Sequence, residues 1–160
     1  MSETSIVIPY ADFREQLLTI LEETFDNVHG AYLDPGDSFF TTLEGVSAEQ
    51  ASRVVGTCGN SIAGQVKHVI FYMDVAIQYM RGENPGRQDW SISWQTVEVN
   101  ESEWTTLKQE LRDRQEMIVG MIKEEPRSVD GDFVGGAMAL VAHTAFHLGQ
   151  VRHALCMLGE

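Results

Sequence analysis

The stretch that decides the fold is "FVGGAMALVAHTAFHLGQV", residues 133–151, in which only two histidines can carry a charge. The run is long enough to suggest a membrane span, but it also contains a threonine, a glutamine and three glycines. Polar side chains of this kind are costly in lipid unless they have a function. A helix that is apolar on all sides also suits the centre of a helical bundle. We therefore expect a bundle helix over about residues 132–158, with Asp132 as its N-cap.

Two earlier segments have the three- and four-residue hydrophobic spacing of amphipathic helices. The first covers about residues 10–28, where Pro9 suits a helix start and Gly30 a helix end. The second covers about residues 61–81, with Asn60 or Ser61 as its N-cap. Its apolar positions recur at near-heptad spacing, which favours packing along neighbouring helices.

The stretch "NESEW", residues 100–104, predicts the start of a third such helix, because Asn100 and Glu103 have the spacing of a capping box. Its apolar stripe is interrupted by Arg114 and Gln115. No alternating run is long enough to require a sheet, although "SISWQTVEV", residues 91–99, could form a short extended piece. The sequence therefore predicts a single all-α domain over residues 1–160, a four-helix bundle with long loop connections.

Composition excludes some classes of partner. The chain has 11 basic and 24 acidic residues, a formal net charge of -13. A nucleic-acid or anionic-membrane binder needs clustered cations, and the sequence has no such cluster. Two cysteines, Cys58 and Cys156, form no metal or disulfide motif, so we expect mostly buried thiols in a reducing compartment. The first residues do not resemble a signal peptide, and we expect a cytoplasmic protein.

The histidines are the candidate site. His143 and His147 are four residues apart, so they lie about 40° apart on one helical face, with Gln150 on the same side. His153 is turned about 80° from His143 and is expected to be a surface or interface residue. His68, within the second helix, could supply a third nitrogen. The alternative is a pair of hydrogen-bonded core histidines, because buried imidazoles need partners in either case.

The word "HTAFHLGQ", residues 143–150, together with a histidine inside the second helix, resembles the DinB/YfiT-like superfamily of metal-dependent four-helix proteins. The resemblance extends over nearly the whole chain and implies that His68, His143 and His147 are three metal ligands. This chain departs from many relatives in having Leu148, not arginine, after the last ligand. It also has no conspicuous catalytic carboxylate next to these histidines in sequence.

Three neutral imidazoles leave a coordination position open, as in catalytic metal sites, and suit Zn, Ni or Fe. Such an ion could activate a water for hydrolysis or bind a low-molecular-weight thiol. The resemblance implies a thiol S-transferase acting on a small electrophile. The alternative is a non-catalytic metal-binding protein with a stress-response or interaction role.

Polar groups facing the open metal position would distinguish an enzyme from a binding protein. The candidates for such pocket residues are Gln150, Tyr72, Arg114 and Gln115, each of which could equally be a helix-surface or interface residue. The tryptophans cluster before the third helix and could fill the core edge, cover the site or form a dimer surface; they are Trp90, Trp94 and Trp104. The resemblance also implies a homodimer.

Overall fold

The computed structural model describes residues 7–56, 59–95, 98–124 and 129–159. These ranges contain no named strand, only an isolated antiparallel bridge between Val54 and Ser61. The predicted all-α class is confirmed. The helices are α1 (Tyr10–Phe25), α2 (Phe39–Glu44), α3 (Ala48–Ser52), α4 (Ile62–Met80), α5 (Glu101–Lys123) and α6 (Gly131–Leu158), and Trp90–Trp94 form a 3-10 turn.

The four long helices enclose one hydrophobic core. Helix α4 packs against both α5 and α6, and α1 packs against the same two helices. Each buried leucine, isoleucine or phenylalanine in this core contributes about 1.5–3 kcal/mol relative to an exposed one. The largest apolar side chains that are almost completely buried include Trp104, Phe25, Phe39, Leu21, Leu43, Ile62, Ile70, Met73, Leu111, Ile118 and Leu148.

Local capping fixes where the long helices begin. The Ser61 hydroxyl accepts a hydrogen bond from the Gly64 amide at 3.1 Å. Asn100 accepts one from the Glu103 amide at 3.0 Å, and the Glu103 carboxylate accepts one from the Asn100 amide at 2.8 Å. Each bond satisfies an amide that has no partner within its helix. The N-cap at Ser61 and the predicted capping box are confirmed.

Two predicted helix ends were wrong. The N-cap of α6 is Asp130, whose carboxylate accepts a hydrogen bond from the Phe133 amide at 3.0 Å, and Asp132 lies in the first turn. Helix α1 ends at Phe25 with Asp26 as its C-cap, several residues before Gly30. Gly30 lies in the following loop with φ +81.

The side chain of Glu23 explains the early end of α1. Its carboxylate is fully buried and accepts hydrogen bonds from four backbone amides of the loop. The amides of His29 and Ala31 lie 2.9 Å from Oε2, and those of Tyr32 and Leu33 lie 2.6 and 2.7 Å from Oε1. Burial raises the pKa of Glu23, but the four amides outweigh it and lower this pKa to about 2. The loop folds around a carboxylate that is charged at neutral pH, and its backbone turns toward Glu23 instead of continuing the helix.

Shorter helical pieces occupy two segments that were expected to be loop or extended. Helices α2 and α3 lie in the first connection, and α3 has its own capping box between Ser47 and Gln50. Residues 90–94 form a 3-10 turn, so the extended piece expected over residues 91–99 was wrong there. Asp89 caps this turn by accepting a hydrogen bond from the Ser91 amide at 3.0 Å. Residues 96–97 lie outside the described ranges.

Two other expectations concern the cysteines and the membrane. Cys156 is a free thiol and is exposed, so its predicted burial was wrong; it lies in the last turn of α6 on a solvent-facing side. Cys58 lies outside the described residues.

None of the helices within the described ranges has an apolar stretch that would let it cross a membrane.

Candidate metal centre

Three histidines from two helices meet in one place. Helix α6 supplies His143 and His147, and α4 supplies His68. One nitrogen from each ring can be chosen so that all three nitrogens lie within 4.8 Å of one another. His68 and His147 are buried, and His143 is partly exposed. Among the described residues, these histidines are the group whose ligand atoms lie close enough together to hold a metal ion.

The ring of His68 is oriented by the 3-10 turn. Its Nδ1 lies 2.7 Å from the Ser93 hydroxyl oxygen. That hydroxyl donates its proton to the Trp90 backbone carbonyl, also at 2.7 Å. Because the hydroxyl has only one proton, the Ser93 oxygen must accept from His68, which therefore carries its own proton on Nδ1. The Nε2 lone pair of His68 is left facing the other two rings.

A glutamine on α4 fixes the ring of His147 in the same way. Nδ1 of His147 lies 2.7 Å from the side-chain carbonyl oxygen of Gln65, and both residues are buried. A carbonyl oxygen can only accept, so His147 also carries its proton on Nδ1. Its Nε2 is free for a ligand. Proteins commonly orient metal-binding histidines through a hydrogen bond at the second ring nitrogen.

His143 is held differently. Its Nε2 lies 3.1 Å from Nε2 of His68. Because the His68 nitrogen has no proton, His143 donates through Nε2. The Nδ1 of His143 is buried without a hydrogen-bond partner among the described residues. The ring is instead stacked on Tyr72, with centroids 3.7 Å apart and planes 12° apart.

Aromatic rings form the walls of the cluster. Trp94 stacks on His68 with centroids 3.9 Å apart and planes 14° apart. Trp90 is 6.2 Å from His68, and Phe146 meets His147 edge-on at 5.0 Å. Trp90 is 40% exposed and Phe146 61% exposed, so both lie where the cluster approaches solvent. Trp104 has a different place, in the core, where its indole N–H donates to the Val46 carbonyl.

Burial keeps these imidazoles neutral. Burial, with added repulsion from His143 and His68, lowers the pKa of His147 to about 3. Burial and repulsion from His68 lower the pKa of His143 to about 4. Burial also lowers the pKa of His68. A neutral imidazole has one unprotonated nitrogen, the form that binds a metal ion, so all three rings are in the required charge state at neutral pH.

A direct ring contact with the histidines is seen for one of the four candidate pocket residues. Tyr72 stacks on His143, as described above. Gln150 is exposed and lies about one helical turn after His147 on α6. Arg114 pairs with Asp74 at 2.7 Å, and buried Gln115 donates to the Asp26 carboxylate at 3.3 Å. His153 is exposed.

Two residues with clear roles at the cluster were not assigned from the sequence. Gln65 lies three residues before His68 on α4, but its partner His147 is 82 residues away. Ser93 is 25 residues from His68 and lies between the two tryptophans of "WSISW". The turn contains two serines, and nothing in the sequence distinguishes Ser93 from Ser91.

Surface clefts lie elsewhere on the molecule. One of about 640 Å³ is lined by residues of α4, α5 and the segment between them, including Lys67, Glu98 and Glu110. Another of about 490 Å³ lies between α5 and the α2 region and includes Phe40 and Arg112. None of the three histidines lines either cleft.

The fold and the cluster together define an all-α protein with a buried three-histidine site compatible with metal binding. A comparison with protein families agrees: residues 36–151 match the DinB superfamily. The chain therefore belongs to the DinB superfamily. No curated protein and no solved structure matches it.

Proposed function

We propose that this protein is a divalent-metal-dependent enzyme of the DinB type, in which His68, His143 and His147 hold one ion through their Nε2 atoms. We further propose that it transfers a low-molecular-weight thiol to a small electrophile. The observation that supports the proposal is the convergence of three neutral imidazoles within 4.8 Å. Three histidines leave a coordination position for a thiol or water, as catalytic sites require.

The residues present fit a metal ion. His68 and His147 already have the tautomer that leaves Nε2 free, because Ser93 and Gln65 accept their Nδ1 protons. His143 must move its proton from Nε2 to Nδ1 to join them. Its buried Nδ1 has no partner among the described residues, so this ligand is the least prepared of the three.

When bound, a zinc, nickel or iron ion would lower the pKa of a thiol or water and so supply a nucleophile at neutral pH. The chain's own residues supply orientation and shielding. Ser93 and Gln65 hold two rings in place, and Trp94 and Tyr72 cover ring faces against water. Tyr72 is the candidate pocket residue with most support. Arg114 and Gln115 lie on α5, paired with Asp74 and Asp26, and Gln150 lies about one turn after His147 on α6.

A second candidate is a non-catalytic metal-binding protein with a stress-response or interaction role. One observation favours it: neither of the two clefts described above is lined by the three histidines.

Metal analysis tests the three-histidine metal site that both candidate functions require. Purified, tag-free protein is analysed for metals beside the variants His68→Ala, His143→Ala and His153→Ala. The last is the matched control, because His153 is an exposed histidine of the same helix, α6. We expect about one divalent ion per chain in the wild type and the control, and none in the first two variants while helical circular dichroism is retained. No ion after reconstitution with zinc, nickel or iron would exclude both candidates.

Turnover then separates the two candidates. The metal-loaded protein is screened with low-molecular-weight thiols and small electrophiles, and consumption of the thiol is measured with the His143→Ala variant as the control. Metal-dependent consumption supports the transferase. A loaded protein that remains inactive with all pairs favours the binding protein.

We also propose that the protein is a cytoplasmic homodimer. The support for a dimer is a set of apolar side chains on the exposed face of α6: Met138, Phe146 and Met157 are 61–64% exposed. The support for a reducing compartment is the free, exposed thiol of Cys156. Light scattering at two protein concentrations tests the dimer, and a Phe146→Ser variant should shift it toward the monomer.

A further inference from the structure

Side chains of the 3-10 turn Trp90–Trp94 contact the candidate metal ligand His68 directly. Ser93 is 1% exposed and holds Nδ1 of His68 at 2.7 Å. Its own proton is committed to the Trp90 carbonyl within the same turn. The hydroxyl therefore cannot rotate to donate to His68 without losing that second bond.

The next residue of the turn covers the same ring. Trp94 lies parallel to the His68 imidazole at 3.9 Å, and its centroid is 5.8 Å from that of His147. An indole face is electron-rich and attracts positive charge. A metal ion on Nε2 would make the imidazole more positive, and the indole would favour that state.

We propose that Ser93 is a positioning residue for the metal ligand His68, and that Trp94 reports and stabilises metal occupancy. This inference rests on the proposed metal site and extends it to the 3-10 turn. Ser93 acts by holding the Nδ1–H tautomer, so that Nε2 of His68 stays unprotonated and faces the other two histidines. Trp94 acts by stacking on the ring that gains positive character.

Zinc titration of the full chain by calorimetry tests the role of Ser93. Removing an outer hydrogen-bond partner of a ligand typically weakens metal affinity by about 10–100-fold, and we expect this for Ser93→Ala. Ser91→Ala is the matched control, because it is the same change in the same turn and, within the described part of the chain, the Ser91 hydroxyl bonds to Asp89 and not to a histidine. Ser93→Thr, which retains the hydroxyl, should recover most of the affinity.

Nitrogen-15 NMR of the metal-free protein gives a readout that loss of packing alone would not move. The wild type and Ser91→Ala should show His68 as a single Nδ1–H tautomer, and Ser93→Ala should show a mixture. Trp94 is tested by fluorescence: emission should change during zinc titration and saturate at one ion per chain. Trp94→Phe should remove most of that change and weaken zinc binding.

The outcomes separate this inference from the proposed function. If the wild type binds none of zinc, nickel or iron, both are wrong. If the wild type binds zinc and Ser93→Ala binds it equally well with an unchanged His68 tautomer, only the role of Ser93 is wrong. If Trp94→Phe retains both the zinc affinity and the emission change, only the role of Trp94 is wrong.

Discussion

Acid should destabilise the metal-free protein well above the pH at which most of its carboxylates are protonated. In the unfolded chain a histidine has a pKa near 6.5, whereas burial lowers the pKa of His143 to about 4 and of His147 to about 3. Between these values the unfolded chain binds more protons than the folded one. The free energy of unfolding therefore falls as pH falls from 6.5, and it is insensitive to these rings above that pH.

The magnitude follows from the number of rings and the width of the window. Each histidine protonated only in the unfolded chain lowers the free energy of unfolding by about 1.4 kcal/mol per pH unit. Over the two pH units from 6.5 to 4.5, two rings give on the order of 5 kcal/mol as an upper bound, since solvent screens the partly exposed His143. Whole domains are stable by about 5–15 kcal/mol, so this loss is enough to unfold many of them.

Urea unfolding of EDTA-treated protein, followed by circular dichroism at half-unit steps from pH 7.5 to 4.5, measures this loss. The matched variants are His143→Gln/His147→Gln, which removes both titrating rings, and His153→Gln, which removes an exposed one. We expect a steep fall below pH 6.5 in the wild type and in His153→Gln, and a much shallower one in the double variant. Equal slopes in all three proteins would refute the reasoning.

Two further predictions concern Glu23 and the histidine tautomers. Glu23→Gln should lower the melting temperature at pH 7, because an amide cannot accept four backbone hydrogen bonds as a carboxylate does. Glu22→Gln, at an exposed position, is the control and should leave the melting temperature unchanged. Equal melting temperatures of the two variants would contradict the role of the buried carboxylate. Nitrogen-15 NMR of metal-free protein should show Nδ1–H at His68 and His147 but Nε2–H at His143. Zinc should convert His143 to Nδ1–H, and an unchanged His143 spectrum at saturation would exclude it as an Nε2 ligand.

Features that depend on neighbours in sequence could be predicted best. The capping box of α5 needs only Asn100 and Glu103, three residues apart, and it forms as expected. Helix α3 has the same signal in Ser47 and Gln50, but its five residues are too short to show hydrophobic periodicity. The start of α6 was misplaced because Asp130 and Asp132 are equally good N-caps in sequence.

The site was predictable in part for the same reason. His143 and His147 are one helical turn apart, so a shared direction follows from helix geometry. The proximity of His68 came from resemblance, since no local rule connects residues on α4 and α6. Gln65 and Ser93 depend on how the helices and the 3-10 turn pack, and side-chain hydrogen bonds across 82 and 25 residues leave no pattern in sequence.

The single carboxylate under the 29–33 loop has a consequence for how this region opens. Four amides share one acceptor group, so displacement of the Glu23 carboxylate would break all four hydrogen bonds together. Although Ala31 and Tyr32 lie at the surface, their hydrogens should exchange with solvent deuterium slowly and at similar rates. The loop should thus behave as one cooperative unit. Its opening requires the Glu23 carboxyl group to leave its buried position, in either its charged or its protonated form.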